Sequence, residues 1–417
     1  MKIVHIVAGE LNGGAAKGAY NIHKALRRKG IESFLLTTGK NVDKDPYVIS
    51  VGTSKISKYL NYIRPKFEQI KLLKYKKSLN TVKSSGIPPF SVNIMKYRQV
   101  MDADIINLHW INGGMINIKS LKSVKKPIVW TIRDMWPLTG ICHYALGCEK
   151  YKIGCGECFQ IGSNKQKDLS YKISHLKQKI SKNIVTVSVS RWIHEQVSES
   201  YPFKNGKNLY IQNCIDTNDF KSVNKNTAKT ILELPIDKKI ILLGAQNIND
   251  SYKGGKFLGE LIKLLDSQKY FVLLLGRCNV ELKDLLESHH IDFKALGFIS
   301  DTLSLRIIYS AADVFVMLSI QDALPKMPVE AMCCGTPVVS FDTSGLKDIV
   351  DHKQNGYRAK AFDVSDLLAG INWVCDNEKY DMLCKIAIEK SSKYFDADVV
   401  ADKYIELYKE ILSGSIK

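Results

Sequence analysis

Short apolar segments alternate with longer amphipathic segments along almost the whole chain, and this alternation limits the fold more than any other feature. Segments such as Ile3–Val7 and Ile240–Leu243 have the length and composition of buried β-strands. Strands that alternate with helices predict parallel α/β sheets. Because the chain has 417 residues, the sequence predicts two domains of about 200 residues each.

The predicted domain boundary lies where the chain becomes polar, between Cys214 and Val223. We therefore expect an N-terminal domain of residues 1–215 and a C-terminal domain of residues 216–417, each a Rossmann-like, doubly wound parallel sheet. A last amphipathic helix, at about 399–412, follows both sets of strands. The sequence leaves open whether this helix packs on the N-terminal domain.

Positive charge is concentrated in the first half of the chain. Residues 1–215 contain 35 Lys and Arg against 13 Asp and Glu, whereas residues 216–417 contain 25 against 29. The segment Lys55–Arg98 has eleven basic residues and only Glu68 opposing them. It includes a predicted basic amphipathic helix at about 56–77, which suits an anionic membrane surface. A solvated lysine-rich face is the alternative, and without a recognisable nucleic-acid-binding module we do not expect nucleic acid as the partner.

The sequence also indicates the cellular compartment of the protein. No apolar run approaches the 18 residues of a membrane span, and the N-terminus enters a strand directly, without a signal-peptide pattern. We expect a cytoplasmic protein, peripheral at the inner face of the cytoplasmic membrane. Its ten cysteines should then be thiols or metal ligands.

Four cysteines lie within one short segment: Cys142, Cys148, Cys155 and Cys158. The pair Cys155–Cys158 has the spacing of a zinc knuckle, so the spacing predicts a structural zinc ion. A redox-active pair and packed free thiols are the alternatives.

Residues suited to ligand contact follow three predicted strands in the N-terminal half. Gly13 and Gly14 let the backbone pass close to a ligand where a helix starts, and helix N-terminal amides favour anions. His109 follows the predicted strand Ile105–Leu108, and Arg133 and Asp134 follow the predicted strand Ile128–Thr131. The structural alternatives are a simple turn for the two glycines, a hydrogen-bonding role for His109, and a surface ion pair for Arg133 and Asp134.

Two carboxylates eight residues apart, Asp322 and Glu330, follow the apolar strand 313–318. In open α/β sheets ligands bind just beyond such strand ends. Further back, Lys253 precedes two glycines that open a helix. Carboxylates accept hydroxyl donors, and a lysine at a helix start suits phosphate.

These motifs resemble retaining GT-B glycosyltransferases of family 4, whose acidic element reads E-x7-E, and the likeness extends over essentially the whole chain. The subgroup that it resembles acts in bacterial surface polysaccharides of the colanic acid or O-antigen kind. The resemblance implies two Rossmann-like domains facing a cleft. The N-terminal domain would bind the acceptor, and the C-terminal domain would bind a nucleoside-diphosphate sugar.

The resemblance also implies roles for individual residues. Glu330 would accept hydrogen bonds from the ribose, Asp322 would face the donor sugar, and the backbone of Ala323 and Leu324 would approach the diphosphate. Lys253 would hold that diphosphate.

Two further contacts follow from the same likeness. Arg277 would add positive charge from a neighbouring loop, and Phe298 belongs to the loop whose backbone contacts the nucleotide base. Apolar packing is the alternative for Phe298.

The chain departs from the family pattern at three places. Asp322 stands where the family has Glu, and Arg133 replaces the His of a T-x-H-D motif. The second change moves the candidate general base to Asp134 or His109. Ala245 or Gln246 stands where an arginine of the diphosphate clamp is usual.

The resemblance thus implies a retaining hexosyltransferase that needs no cofactor or catalytic metal. Its acceptor would be a lipid-linked or lipopolysaccharide-type glycan, reached through a basic domain that docks on an anionic membrane. A non-catalytic GT-B scaffold and another GT-B enzyme, such as a sugar-nucleotide epimerase, are the alternatives.

Overall fold

The structure is a computed structural model that describes residues 1–416 except 12, 42–43, 53, 76–78, 80 and 249. It divides into two compact units. The first comprises Met1–Asn213 together with Val400–Lys417, and the second comprises Cys214–Val399. The chain thus returns to the first unit within its last helix.

The first unit contains a seven-stranded sheet in the order β3-β2-β1-β4-β5-β6-β7, with every pair parallel. Its strands are β1 (Lys2–Val7), β2 (Glu32–Thr37), β3 (Val48–Ser50), β4 (Ile105–Leu108), β5 (Ile128–Ile132), β6 (Ile184–Ser188) and β7 (Asn208–Tyr210). Its helices are α1 (Gly14–Arg28), α2 (Lys55–Gln69), α3 (Arg98–Met101), α4 (Leu169–Ile180) and α5 (Arg191–Glu199).

The second unit contains a six-stranded parallel sheet in the order β10-β9-β8-β11-β12-β13. Its strands are β8 (Lys239–Asn247), β9 (Tyr270–Arg277), β10 (Phe293–Ala295), β11 (Val314–Met317), β12 (Val338–Phe341) and β13 (Gly356–Ala359). Its helices are α6 (Lys225–Ile231), α7 (Gly255–Leu264), α8 (Val280–Ser288), α9 (Thr302–Ala311), α10 (Lys326–Cys333), α11 (Leu346–Ile349), α12 (Val364–Cys375) and α13 (Tyr380–Phe395). The last helix, α14 (Ala397–Leu412), carries the chain back into the first unit.

The apolar composition of the central strands follows from their burial. Every residue of β4, β5, β6, β11 and β12 is buried, as expected for parallel strands covered on both faces. The predicted class, two parallel α/β domains, is confirmed. In each sheet the strand order reverses once, between β1 and β4 and between β8 and β11, and ligands of such sheets bind at these reversals.

Helix α2 is shorter than the sequence predicts. It ends at Gln69 and continues as a 3₁₀ turn to Leu72, whereas the predicted helix reached residue 77. Lys71 and Lys74 follow α2 three residues apart, and like charges at that spacing destabilise a helix. Lys76 and Lys77 lie outside the described residues. Among the helices that the structure describes, none has both the length and the apolarity to cross a membrane.

Candidate functional site

The strand reversal in the second unit carries a pocket of about 300 Å³, part of it open to solvent. Gly244 and Ala245 contribute from β8, Val316 and Met317 from β11, and Lys253 from the turn before α7. A parallel sheet of this topology binds ligands at this position. The pocket is therefore the candidate ligand site of the second unit.

Lys253 and Asp322 form an ion pair beside this pocket. The ammonium of Lys253 donates to Oδ2 of Asp322 at 2.5 Å, and both side chains are mostly buried. The structure thus brings together two residues that the sequence predicts as parts of one site. In this state the positive charge of Lys253 is already compensated, so an anionic ligand would compete with Asp322 for it.

The turn that carries Asp322 is fixed by its neighbour at residues 344–345. The backbone N–H of Asp322 donates to Oγ of Ser344 at 3.1 Å, and the N–H of Gly345 donates to the carbonyl of Asp322 at 3.0 Å. A methyl group at Gly345 would overlap the carbonyl of Ala323. Only glycine therefore permits this close approach.

Glu330 lies on α10 and is held by a buried tyrosine. The hydroxyl of Tyr309 donates to Oε2 of Glu330 at 2.8 Å, and the residue as a whole is buried. Burial, together with the charge of Glu330, raises the pKa of Tyr309. Tyr309 therefore remains a hydrogen-bond donor that orients the carboxylate.

The remaining predicted residues of the second unit differ in exposure. Ala323 and Leu324 are buried. Arg277 ends β9 with an exposed side chain, and its carbonyl accepts from the N–H of Ile248 at the end of β8. The side chain of Phe298 is 45% exposed, which disfavours the apolar-packing alternative.

In the first unit, the predicted glycine loop lies at the carboxyl end of β1. Helix α1 begins at Gly14, and Gly13 caps it. A methyl group at Gly14 would meet no atom within 4 Å. The helix N-terminus is thus open to a close approach, as expected for a ligand loop.

His109 is hydrogen-bonded to Arg133 and to a second histidine. Nε of Arg133 donates to Nδ1 of His109 at 3.1 Å, and Nε2 of His109 lies 2.9 Å from Nδ1 of His5. Arginine is always a donor, so Nδ1 of His109 must accept and Nε2 must carry the proton. Burial, and next the charge of Arg133, lower the pKa of His109 well below its usual value. With both ring nitrogens engaged, His109 is not available as a base in this structure.

Arg133 is fixed on two further sides. Its Nη1 donates to Oδ1 of Asn213 at 2.7 Å. Its guanidinium also packs against Gly18 of α1, where a methyl group would overlap it. Arg133 is therefore part of the support at the carboxyl ends of β1 and β5, next to the predicted glycine loop.

The structure adds a histidine that the sequence analysis did not select. His143 Nδ1 lies 2.9 Å from Oδ2 of Asp134, while the other carboxylate oxygen accepts from the N–H of Trp136 at 2.9 Å. The His143 ring stacks near Trp110 and Trp136, and its buried Nε2 has no hydrogen-bond partner. An ionised Asp134 can only accept, so Nδ1 of His143 carries the proton of this hydrogen bond. The structure thus places an imidazole beside Asp134 that comes from the loop after it.

The four cysteines line one cavity of about 340 Å³, part of it open to solvent. Burial raises the pKa of Cys142 and Cys158, and that of Cys155 to about 12. In the described part of the chain, no three His, Cys, Asp or Glu side chains are placed to hold a metal ion. The predicted zinc set is therefore not assembled in this geometry, in which Cys142 is buried and the other three cysteines are partly exposed.

Elemental analysis of protein purified without added metal measures directly how much zinc the chain binds. We expect a zinc content well below one ion per chain, because the structure does not bring three of these side chains together as ligands. Titration of thiols in the unfolded protein should recover all ten cysteines of the chain. One zinc ion per chain, resistant to dialysis, would contradict this expectation.

Lys177 of α4 fixes the segment before the cysteines. Its fully buried ammonium donates to the carbonyls of Trp136, Thr139 and Gly140, and it lies 3.5 Å from the centre of the Trp136 ring. Burial lowers its pKa to about 7, with Cys155 the largest opposing influence. This one side chain therefore satisfies three backbone acceptors of the loop that begins at Asp134.

Residues 225–391 match the family of glycosyl transferases group 1. The match contains Lys253, Asp322 and Glu330 and covers most of the second unit. This part of the chain is therefore a group 1 glycosyltransferase domain. The prediction of a glycosyltransferase is confirmed for this domain.

Known proteins similar to the chain agree with the domain assignment. The N,N'-diacetylbacillosaminyl-diphospho-undecaprenol alpha-1,3-N-acetylgalactosaminyltransferase of Campylobacter jejuni is 29% identical over 43% of this chain and 47% of its own length. The chain spans about half the length of the first curated relatives that it matches.

Solved structures extend the likeness to both units. The sucrose-phosphate synthase of Thermosynechococcus elongatus has a TM-score of 0.72 at 17% identity, covering 99% of this chain and 100% of that chain. Anabaena HepE in complex with UDP-glucose has a TM-score of 0.66 at 15% identity, covering 98% and 100%. At this identity the likeness shows the fold, and the predicted GT-B fold is confirmed.

Proposed function

We propose that the chain is a retaining glycosyltransferase that moves a hexose-type sugar from a nucleoside-diphosphate sugar to an acceptor hydroxyl. One observation carries the proposal: Lys253, Asp322 and the buried Glu330 belong to the strand-end region of a group 1 glycosyltransferase domain. Glu330 would accept the ribose hydroxyls, Lys253 would bind the diphosphate, and Asp322 would face the sugar. Lysine and helix amides would compensate the diphosphate charge, so the reaction as proposed uses no catalytic metal.

The proposed acceptor is a lipid-linked or lipopolysaccharide-type glycan of a bacterial surface polysaccharide. Two observations support it. The name of the Campylobacter relative contains a diphospho-undecaprenol-linked sugar, and the first half of the chain has an excess of 22 positive charges. A lipid-linked diphosphate is anionic and lies at a membrane, so a basic acceptor domain suits it.

A donor screen followed by one substitution tests the donor site. A nucleotide that is present at 100 times its Kd should add about 2.7 kcal/mol of stability, so thermal shift with UDP-, GDP- and TDP-sugars identifies the base. For that nucleotide, Lys253→Ala should cost about 1.5–3 kcal/mol of binding, the value of a charged hydrogen bond. The corresponding nucleoside, which lacks phosphate, should bind unchanged in calorimetry.

Lys263→Ala is the matched control, because Lys263 is an exposed lysine in the last turn of α7, the helix that follows Lys253. Equal losses for nucleotide and nucleoside in Lys253→Ala would make Lys253 a structural residue. Donor hydrolysis in the absence of acceptor distinguishes the enzyme from a non-catalytic scaffold of the same fold.

We further propose that the first unit docks on the anionic inner face of the cytoplasmic membrane through α2 and the turns after it. Ile56, Tyr59 and Tyr62 recur every three residues along α2 and are all at least 65% exposed. Leu73, just after the helix, is 79% exposed. Exposed lysines flank this stripe at positions 55, 58, 66, 71 and 74. Exposed apolar side chains next to lysines are what a membrane surface binds.

Charge reversal tests the docking surface. Each basic residue near an anionic bilayer contributes about 1 kcal/mol, so Lys71→Glu with Lys74→Glu should reduce sedimentation with anionic vesicles several-fold. High salt should release the wild-type protein, because the Debye length is about 8 Å at physiological salt and shorter above it. Lys204→Glu with Lys207→Glu changes the charge equally at exposed positions near β7 and should bind as wild type. Equal losses in both pairs would reject α2 as the docking surface.

A further inference from the structure

The pocket of the second unit contains one polar group whose role is not yet explained, the hydroxyl of Ser319. Ser319 follows β11 by two residues, is fully buried and lines the pocket together with Lys253 and Gly244. Its Oγ is among the buried side-chain atoms without a hydrogen-bond partner. A buried hydroxyl in that state is uncommon, since most such groups bond to protein, water or ligand.

The surroundings of Ser319 favour an anion as its partner. Helix α7, of ten residues, begins at Gly255, two residues after Lys253. Gly254 has a φ of 85°, and a methyl group there would overlap the carbonyl of Leu318, so the start of the helix lies against the end of β11. A hydroxyl, an ammonium and helix N-terminal amides are all donors, and together they suit phosphate oxygens.

We propose that Ser319 is a diphosphate-binding residue whose Oγ–H donates to a phosphate oxygen of the nucleotide. The proposal rests on the proposed donor, a nucleoside-diphosphate sugar. It also accounts for a feature of this chain: β8 has Ala245 and the exposed Gln246 where the resembled family has an arginine. The hydroxyl of Ser319 supplies a neutral donor to the pocket that lacks this guanidinium.

If Ser319 binds the ligand, its hydroxyl need not stabilise the fold. Removing a hydroxyl that has no partner does not remove a native hydrogen bond, so Ser319→Ala should fold with an unchanged or higher Tm. A serine that supported the fold would lower Tm when replaced. The two roles therefore predict opposite changes in stability.

A matched control exists on the neighbouring strand. Ser340 of β12 is likewise fully buried with an Oγ that has no partner, but it does not line the pocket. Ser340→Ala removes the same atoms from a similar environment. It should leave ligand binding unchanged.

Calorimetry with inorganic pyrophosphate, UDP and uridine on the full chain tests the proposal without requiring the identity of the sugar or acceptor. Ser319→Ala should bind pyrophosphate and UDP about 5- to 10-fold more weakly, the range of one neutral hydrogen bond. Uridine binding should not change, and Ser340→Ala should match the wild type for all three ligands.

The outcomes distinguish the proposed role of Ser319 from the proposed glycosyltransferase function. Unchanged pyrophosphate and UDP affinity in Ser319→Ala would overturn the role of Ser319 and leave the donor site intact. If Ser340→Ala weakened pyrophosphate and UDP binding equally, the role of Ser319 would also be overturned. The loss of affinity would then not be specific to a residue that lines the pocket. A wild-type protein that binds neither pyrophosphate nor any nucleoside diphosphate would overturn the proposed function itself.

Discussion

Replacing Glu330 by alanine is expected to weaken nucleotide binding by about 100-fold or more. A carboxylate that accepts from two ribose hydroxyls makes two charged hydrogen bonds, each contributing about 1.5–3 kcal/mol. Because the ribose belongs to the nucleoside, affinity for nucleotide and for nucleoside should fall together in calorimetry. That pattern differs from the loss expected for Lys253→Ala, which concerns the phosphates alone.

Tyr309→Phe is the control for this substitution. It removes the hydroxyl that donates to Glu330 and keeps the carboxylate itself, so the loss in nucleotide affinity should be smaller, about tenfold or less for one hydrogen bond. Circular dichroism and Tm report whether each variant remains folded. A folded Glu330→Ala protein with wild-type affinity would reject the assignment of the ribose to Glu330.

Replacing Lys177 by alanine is expected to lower the free energy of unfolding by about 3 kcal/mol or more. The substitution leaves three buried carbonyls without their donor, and each unsatisfied group costs about 1–3 kcal/mol. Urea unfolding measures the loss. Lys179→Ala, on the same helix, replaces an exposed lysine and should change stability by less than about 0.5 kcal/mol.

Lys177 also makes the stability depend on pH. Burial lowers its folded pKa to about 7, below the value of about 10.4 for an unfolded lysine. Between these two values the unfolded state binds more protons, so stability should rise with pH across this window. Lys177→Met, which cannot titrate, should lack that rise. Parallel pH profiles of the wild type and Lys177→Met would contradict the assignment.

The sequence predicted those parts of the candidate site that follow directly from strand ends. Asp322 and Lys253 are adjacent because β8 and β11 are neighbours, and parallel strands bring their carboxyl ends to one edge of the sheet. The spacing of apolar segments was enough to place both residues there. The boundary of α2 was less predictable, because repulsion among lysines is not part of an apolar pattern.

The residues that the sequence did not reveal depend on contacts between distant segments. His143 meets Asp134 only because an irregular loop turns back on itself, and no periodicity describes such a loop. Lys177 appears in the sequence as one more helical lysine, although its partners lie about 40 residues earlier. His109 was predicted correctly at a strand end. Its burial and its hydrogen bond to Arg133 depend on the folded structure and could not be predicted from the sequence.

The return of the chain in α14 limits how this protein can be divided. Tyr404 and Tyr408 of that helix meet buried polar side chains of the first sheet: the hydroxyl of Tyr408 accepts from Asn107 at 2.7 Å, and that of Tyr404 lies 3.0 Å from Oγ1 of Thr131. A fragment that ends at residue 213 would leave these strand side chains without their partners. No single cut therefore yields an intact first unit, and an isolated one would have to be expressed with residues 400–417 joined to it by a linker.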